Sequence, residues 1–258
     1  MIAGDFPQID VRPWNRRAKL VVYGLVPVAT GLALIGGYFS GIPVLQQIVS
    51  PRIGWLHPDS GRELGLLENL QNLCLIVMAG VFFRGFRRKS LPLERAAFGF
   101  LTLVAVFVLL EEIDYGTHFY DAIFRRSGEA LVARPPRNLH NGGDATKIIK
   151  NLVDAGMVLL FFVFPLLRSK LRRPLFRYLT PDPYAILTLA AMLGLKWLAH
   201  GLQDAGFGVT GGIGKNISEF RELNTYYLFL IYAIDIVFRR TCGHAPAPVS
   251  DAALRERG

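Results

Sequence analysis

The residues able to do chemistry gather in six short stretches of this 258-residue chain. ENLQN places Glu68, Gln71 and Asn72 at i, i+3 and i+4, one face of a helix. EEIDYGTH aligns Glu111, Tyr115 and His118 at i, i+4 and i+7, and turns Glu112 about 100° away from that stripe. NLHNGGD holds Asn138, His140 and Asn141 in a turn-like segment, where Gly142 and Gly143 release the backbone and Asp144 can cap the helix that follows. Lys147, Asn151 and Asp154 share a stripe, with Lys150 one turn before Asp154. Lys196, His200, Gln203 and Asp204 form another, and SEFRELN puts Glu219 and Glu222 on one face with Tyr226 a turn later.

Two chemistries suit this set. Histidines and carboxylates from several helices can bind Zn²⁺ or a di-iron pair. His140, His200, Glu111 and Glu112 are the candidate ligands, and a carboxylate among Glu68, Glu111, Glu112 and Glu222 would act as general base on a metal-bound water. The set lacks the fixed H-E-x-x-H and Glu-x-x-His spacings. The metal-free alternative uses Glu111 and Glu112 themselves, since adjacent carboxyls at low dielectric ionise unequally and can serve as acid and base. Glu63, Asn72, Asp114, Tyr115, His118, Asn138, Asn141, Asn151, Asp154, Lys196, Asp204 and Glu219 are the candidates for lining the site and contacting substrate.

These stretches belong to apolar elements. The chain is 52% hydrophobic and only 19% charged, with a mean hydropathy of +0.33, which leans away from a soluble domain. A membrane span needs about 20 mostly apolar residues. Six segments qualify, near 20–39, 66–84, 95–113, 148–167, 184–203 and 219–238. The expected fold is an all-α polytopic membrane protein: a cytoplasmic segment 1–19, a six-helix domain 20–240 and a disordered tail 241–258. The first apolar run is too long for a signal-peptide core, so it is expected to remain as a span. Its Gly24, Gly31, Gly36 and Gly37 point to close packing or lipid contact.

The net charge of +9 resolves along the same lines. Eighteen of the 29 Lys and Arg fall in the ends and the turns after spans two and four, which orients both termini to the cytoplasm. Thirteen of the 20 acids and four of the five histidines fall on the outer side, where the polar stripes of five spans would line a cavity. The long loop 114–147, with its aromatic FYDAIF segment, would cover it. The basic turns carry no aromatic-interleaved surface or motif, so nucleic acid is not an expected partner. Membrane lipids are, together with a partner subunit or a second copy of the chain. Cys74 and Cys242 lie too far apart in this arrangement to form a bridge.

The motifs also resemble those of a family of uncharacterised bacterial multi-pass membrane proteins, which carry E-D-G-x-x-E, E-E-I-S-W-G-Q and N-L-H-N and an acidic final helix. The matching positions are Glu63, Gly65 and Glu68; Glu111, Glu112, Ile113 and Gly116; Asn138, Leu139, His140 and Asn141; and Glu219 and Glu222. Asp114, Tyr115 and Thr117 stand where the family has Ser, Trp and Gln, so the roles of those three do not carry over. The resemblance covers spans two to six and implies which residues matter rather than a reaction.

Three functional readings follow. The first is an enzyme acting on a lipid or lipid-linked substrate by metal-assisted hydrolysis or transfer. The second is a small proton-coupled transporter, which the absence of an inverted repeat argues against. The third is a non-catalytic subunit of a membrane complex, in which Lys150 with Asp154, Lys196 with His200 or Asp204, and Arg221 with a nearby carboxylate hold helices together. Asp235 is expected to pair with Arg239 at i+4. His57, Asp59, Asp121 and Glu129 read as solvated loop residues, and Tyr226 and Tyr227 as interfacial aromatics.

Overall fold

The structure, a computed structural model, describes residues 8–11, 14–52, 64–116, 123, 144–171, 174–208 and 217–243, with the side chains of all but 8–11, 114, 144–150, 174 and 241–243. Helix α1, Arg16–Phe39, starts where the Asn15 side chain accepts from the Ala18 N–H at 2.7 Å. Gly41, at φ +72°, turns the chain into the short α2, Pro43–Val49. Helices α3, Leu66–Arg88, and α4, Pro92–Glu112, form a hairpin whose second arm begins with proline, a residue that needs no N–H in the first turn. Helix α5 begins as Asp144–Val158 and runs through a π-helical stretch, Leu159–Val163, to Phe164–Leu167. Then come α6, Pro174–Leu179, α7, Ala185–Asp204, and α8, Glu219–Phe238.

Contacts between helices fix their directions. Gln71 reaches the Glu219 carbonyl at 3.1 Å and Lys89 the Ile236 carbonyl at 3.0 Å, so α3 and α8 run parallel over their full length. Helix α4 returns beside them, its Phe98 ring 6.1 Å from Phe82 and Tyr226 bonded to Glu112 near its end. Helix α5 runs with α8, from the Asp154–Arg221 ion pair to the Phe161–Tyr232 ring contact. Helices α1 and α7 run against it: Tyr227 donates to the Val22 carbonyl, and Tyr38 packs on Phe220. The six long helices therefore alternate in direction. One end of the bundle, here called basal, carries Lys19, Lys89, Asp235 and Arg240; the other, apical end carries Glu68, Glu111 and Glu219.

Helix α8 is the axis. Its buried residues, Glu219, Phe220, Leu223, Asn224, Leu228, Ile231, Ala233, Asp235, Ile236 and Val237, point in every direction around it. Phe238, at its very end, is its one exposed large apolar residue, whereas α1, α3, α4, α5 and α7 all turn apolar side chains outward, Leu25, Ile76, Phe100, Leu152 and Trp197 among them. Such a band exceeds what a soluble monomer exposes. Four helices, α1, α3, α4 and α7, are long and apolar enough to cross a membrane. That is fewer than the six segments marked by hydropathy. The described apolar part of α5, Asn151–Leu167, is 17 residues long, and α8 carries Glu219, Arg221, Glu222 and Asp235.

Proline and glycine set the α1–α7 contact. Pro27 has no N–H to donate to the Tyr23 carbonyl one turn back, and the helix adjusts through a π-helical stretch, Val21–Leu25. The carbonyl is satisfied from outside the helix: Thr188 Oγ1 of α7 donates to it at 2.7 Å, from a fully buried position. Two turns on, a Cβ at Gly31 would lie 2.3 Å from Leu195 Cδ1, so glycine there leaves room for the Leu195 side chain of α7. Of the four glycines noted in α1, Gly31 is a packing site, while a Cβ at Gly36 would meet open space.

The basal end is closed by an ionic lock. Asp235 accepts from Arg239 Nη1 at 2.7 Å, as the i+4 spacing leads one to expect, and from Arg240 Nε at 2.9 Å. Arg240 Nη1 also donates to the Thr180 carbonyl at 2.7 Å and to the Tyr178 carbonyl. Lys89, besides the Ile236 carbonyl, reaches the Arg240 carbonyl, and Lys19 pairs with Asp182 at 2.6 Å. Lys89 and Arg240 count as solvated topology signals in the sequence; at 8% and 4% exposure they are internal fastenings instead. The lock continues into a two-stranded ribbon in which β1, Gln8–Val11, pairs antiparallel with β2, Arg240–Gly243. Thr241 to Gly243 are thus part of a strand, whereas their composition reads as an unstructured tail; β2 extends pairing that polar, small residues alone do not signal.

Two substitutions test this packing. Gly31→Val should lower stability by about 1–3 kcal/mol in thermal unfolding of the detergent-purified protein, with part of the loss returned by adding Leu195→Ala. Thr188→Val keeps the side-chain shape but strands the Tyr23 carbonyl, and should cost about 1–3 kcal/mol; an unchanged melting temperature would show the carbonyl satisfied elsewhere.

Candidate functional site

Three helices bring their polar faces together at the apical end. From α3 come Glu68, Gln71 and Asn72, all buried as their i, i+3, i+4 spacing demands. Gln71 Nε2 donates to the Glu219 carbonyl at 3.1 Å and to Glu219 Oε2 at 3.2 Å, tying the first turns of α3 and α8 together. From α8 come Glu219 and Asn224, buried, and Glu222, half-buried; the Asn224 amide bonds back to the Phe220 carbonyl.

Helix α4 supplies two carboxylates with separate partners. Glu112 is the last residue of the helix and Glu111 the one before it, so they diverge by about 100°. Glu111 is buried and accepts from the Tyr115 hydroxyl. Glu112 accepts from the Tyr226 hydroxyl at 2.5 Å, across the α4–α8 interface. Glu222 and Glu219 lie within electrostatic reach of the same hydroxyl. The helix stops one residue further on, and Tyr115 adopts φ +52°, ψ +32°, a left-handed conformation uncommon outside glycine. That turn brings its hydroxyl back to Glu111 while half of the residue stays exposed. Two carboxylate–phenol pairs therefore stand side by side, one bridging α4 to α8 and one within the end of α4, where a buried carboxylate meets a half-exposed phenol.

The remaining expected residues divide. Asp154 joins the cluster through Arg221, its partner at 3.0 Å; Lys150, its expected partner, has no described side chain. Asn151, on the same stripe, is exposed. On α7, the buried stripe is Thr188, Leu189, Met192, Leu195 and Ala199, which packs on α1 and α8; Lys196 and His200 are half-buried beside it and Asp204 is exposed. None of those three forms a hydrogen bond or ion pair among the described residues, so the Lys196–His200 and Lys196–Asp204 contacts are not made. Glu63, His118, Asn138, His140 and Asn141 lie outside the described residues, as does the side chain of Asp114. Among the described residues no three His, Cys, Asp or Glu side chains gather as a metal site, and His140, one of the two expected histidine ligands, lies outside them.

Two tyrosines acquire roles that the sequence does not give them. Tyr226 and Tyr227 read as interfacial aromatics, yet both hydroxyls point inward, to Glu112 and to the Val22 carbonyl at 2.7 Å. The available signal was Tyr226 one turn beyond Glu222 on a helix with polar residues on several faces. Compared with protein-family models, with curated proteins and with solved structures, the chain matches none.

The two phenols should differ in weight. Tyr226→Phe removes a hydroxyl that ties α8 to α4 and should cost about 1–3 kcal/mol in thermal unfolding. Tyr115→Phe, at a half-exposed position where water replaces the lost hydroxyl, should cost less than about 1 kcal/mol; equal losses would show the two pairs to be equally enclosed.

Proposed function

We propose that the chain is a bacterial inner-membrane enzyme that hydrolyses or transfers a group on a lipid or lipid-linked substrate, using Glu111 and Glu112 as a proton-handling pair. The observation that carries this reading is the Glu112–Tyr226 bond beside the Glu111–Tyr115 bond: adjacent carboxylates held in different surroundings by different phenols. Unequal surroundings are what separate an acid from a base. In this scheme Glu112, fixed by the Tyr226 hydroxyl, takes the proton from an attacking water or substrate hydroxyl. Glu111, beside the exposed Tyr115, returns a proton to the leaving oxygen. Helix ends at this level bring the pair to the headgroup region, where an amphipathic substrate presents its polar part.

The membrane arrangement belongs to the same proposal. Helix α8 runs coextensive with α3, from Gln71–Glu219 to Lys89–Ile236, and α3 is itself long and apolar enough to cross. With α5 beside it, this supports six spans, the polar one being shielded by the others. The basal end carries the exposed Arg16, Arg17, Arg84, Arg87, Arg88, Arg168 and Lys170, which favours a cytoplasmic basal end with both termini there and a periplasmic site. The Asp235–Arg240–Lys89 lock supports an enzyme over a transporter, because a transport route would have to open the most tightly bonded part of the bundle.

The test is lipid turnover. The purified protein is placed in nanodiscs of bacterial polar lipid extract and the lipids are followed by mass spectrometry. One lipid class should be converted, and Glu112→Gln or Glu111→Gln should slow the conversion by about 10²–10⁴-fold, the usual share of general acid–base catalysis, with melting temperatures retained. Conversion at an undiminished rate by both variants would remove the carboxylate pair from the mechanism.

A further inference from the structure

The basal end of the α3–α4 hairpin carries four exposed arginines, Arg84, Arg87, Arg88 and Arg95. No described carboxylate pairs with them. Glu94, the one acid in this stretch, lies 3.9 Å from the buried Lys89 and is itself mostly buried. Two of the guanidinium groups rest over aromatic rings instead: Arg95 lies 5.8 Å from the Phe86 centroid and Arg84 5.5 Å from that of Phe238. Ring contacts of this kind orient a guanidinium plane without neutralising it.

Below these arginines lies apolar surface. At about 100° per residue, Arg87 continues the outward stripe of α3, with Phe83, Gly80 and Ile76 at i−4, i−7 and i−11. Phe83 and Ile76 are exposed, and a Cβ at Gly80 would meet nothing within 4 Å, which leaves a notch between them. Across the hairpin α4 presents Leu93, 81% exposed, and Phe100. Along α3 itself, where Arg84 and Arg87 stand above Phe83 and Ile76, cationic rim and apolar flank are continuous, as they must be for a ligand with a charged head and hydrocarbon chains.

We propose that this face is a binding site for an anionic phospholipid, with the headgroup phosphate between Arg84 and Arg87, which share the outward face of α3 at i and i+3, and the acyl chains along Phe83 and Ile76. The planar guanidinium fork matches two phosphate oxygens at once. A zwitterionic lipid offers the same phosphate but adds a cation that the remaining arginines repel, so the site selects net negative charge. The proposal rests on the membrane insertion argued above and is independent of the carboxylate pair.

The experiment is native mass spectrometry of the full chain released from nanodiscs of mixed phosphatidylglycerol and phosphatidylcholine. Phosphatidylglycerol should be retained in preference to phosphatidylcholine. The double variant R84K/R87K keeps the charges that orient the chain but loses the fork, and should retain phosphatidylglycerol at least about fivefold less. R16Q/R17Q, which removes two exposed basal charges at the start of α1, should leave retention unchanged. Equal retention of the two lipids, an unaffected R84K/R87K, or a loss in R16Q/R17Q as large as in R84K/R87K would overturn the site. A chain that alkaline washing strips from membranes overturns the membrane reading and this proposal together; one that stays embedded while holding both lipids alike overturns this proposal alone.

Discussion

One constraint governs the bundle: its central helix carries charged groups at both of its ends. Helix α8 carries Glu219, Arg221, Glu222, Asn224 and Asp235, and it is surrounded by helices whose outer faces are apolar. In such surroundings each polar group must find its partner inside the protein, because an unsatisfied one costs about 1–3 kcal/mol and a charge more. The neighbours supply those partners in turn. Gln71 meets Glu219, Asp154 meets Arg221, Glu112 accepts from Tyr226, and Arg239 and Arg240 meet Asp235. The order of the helices around α8 follows from this pairing as much as from the packing of their apolar residues.

The same constraint sets the register of the candidate site. Helices α3 and α8 are fastened at both ends, by Gln71 at the apical end and by Lys89 at the basal end, so neither can slide without breaking a buried bond. Between those points Gly85 lets Phe98 and Val237 close on α3: a Cβ there would lie 2.9 Å and 3.0 Å from their atoms. Helix α4 is thereby held against both, and its last turn delivers Glu111 and Glu112 to the Tyr226 side of α8. The carboxylate–phenol pairs are placed by the length of the bundle, from a lock at its far end.

Helical periodicity made much of this legible. The spacing of Glu68, Gln71 and Asn72 gave a buried face on α3, and the adjacency of Glu111 and Glu112 gave two directions, each of which finds a different tyrosine. Asp235 with Arg239 was a local i+4 pair and needed no tertiary knowledge. Partners distant in the chain were illegible for a physical reason: Thr188 repairs a carbonyl freed by Pro27, more than 150 residues earlier, and nothing about an isolated threonine in an apolar helix announces that duty. Lys89 and Arg240 misled because a basic residue at a helix end usually reaches solvent, and only the folded neighbours show that these two turn back onto carbonyls. Stripes on α5 and α7 were legible only in part, since Asp154 reaches Arg221 while Asn151 and Asp204 are exposed. Polar residues aligned on a helix share a face, but Asn151 and Asp204 show that the shared face can be the outer one.

Because the axis of the bundle is its final helix, the order of synthesis matters. A ribosome delivers α1, α3 and α4 long before Glu219 exists, so the bonds that Gln71, Glu112 and Lys89 make to α8 must form last. The β1–β2 ribbon is the extreme case, for Gln8 must wait until Gly243 has emerged. Until then the early helices lack the bonds that α8 supplies, and a chain cut short before residue 219 lacks the axis around which the others are arranged.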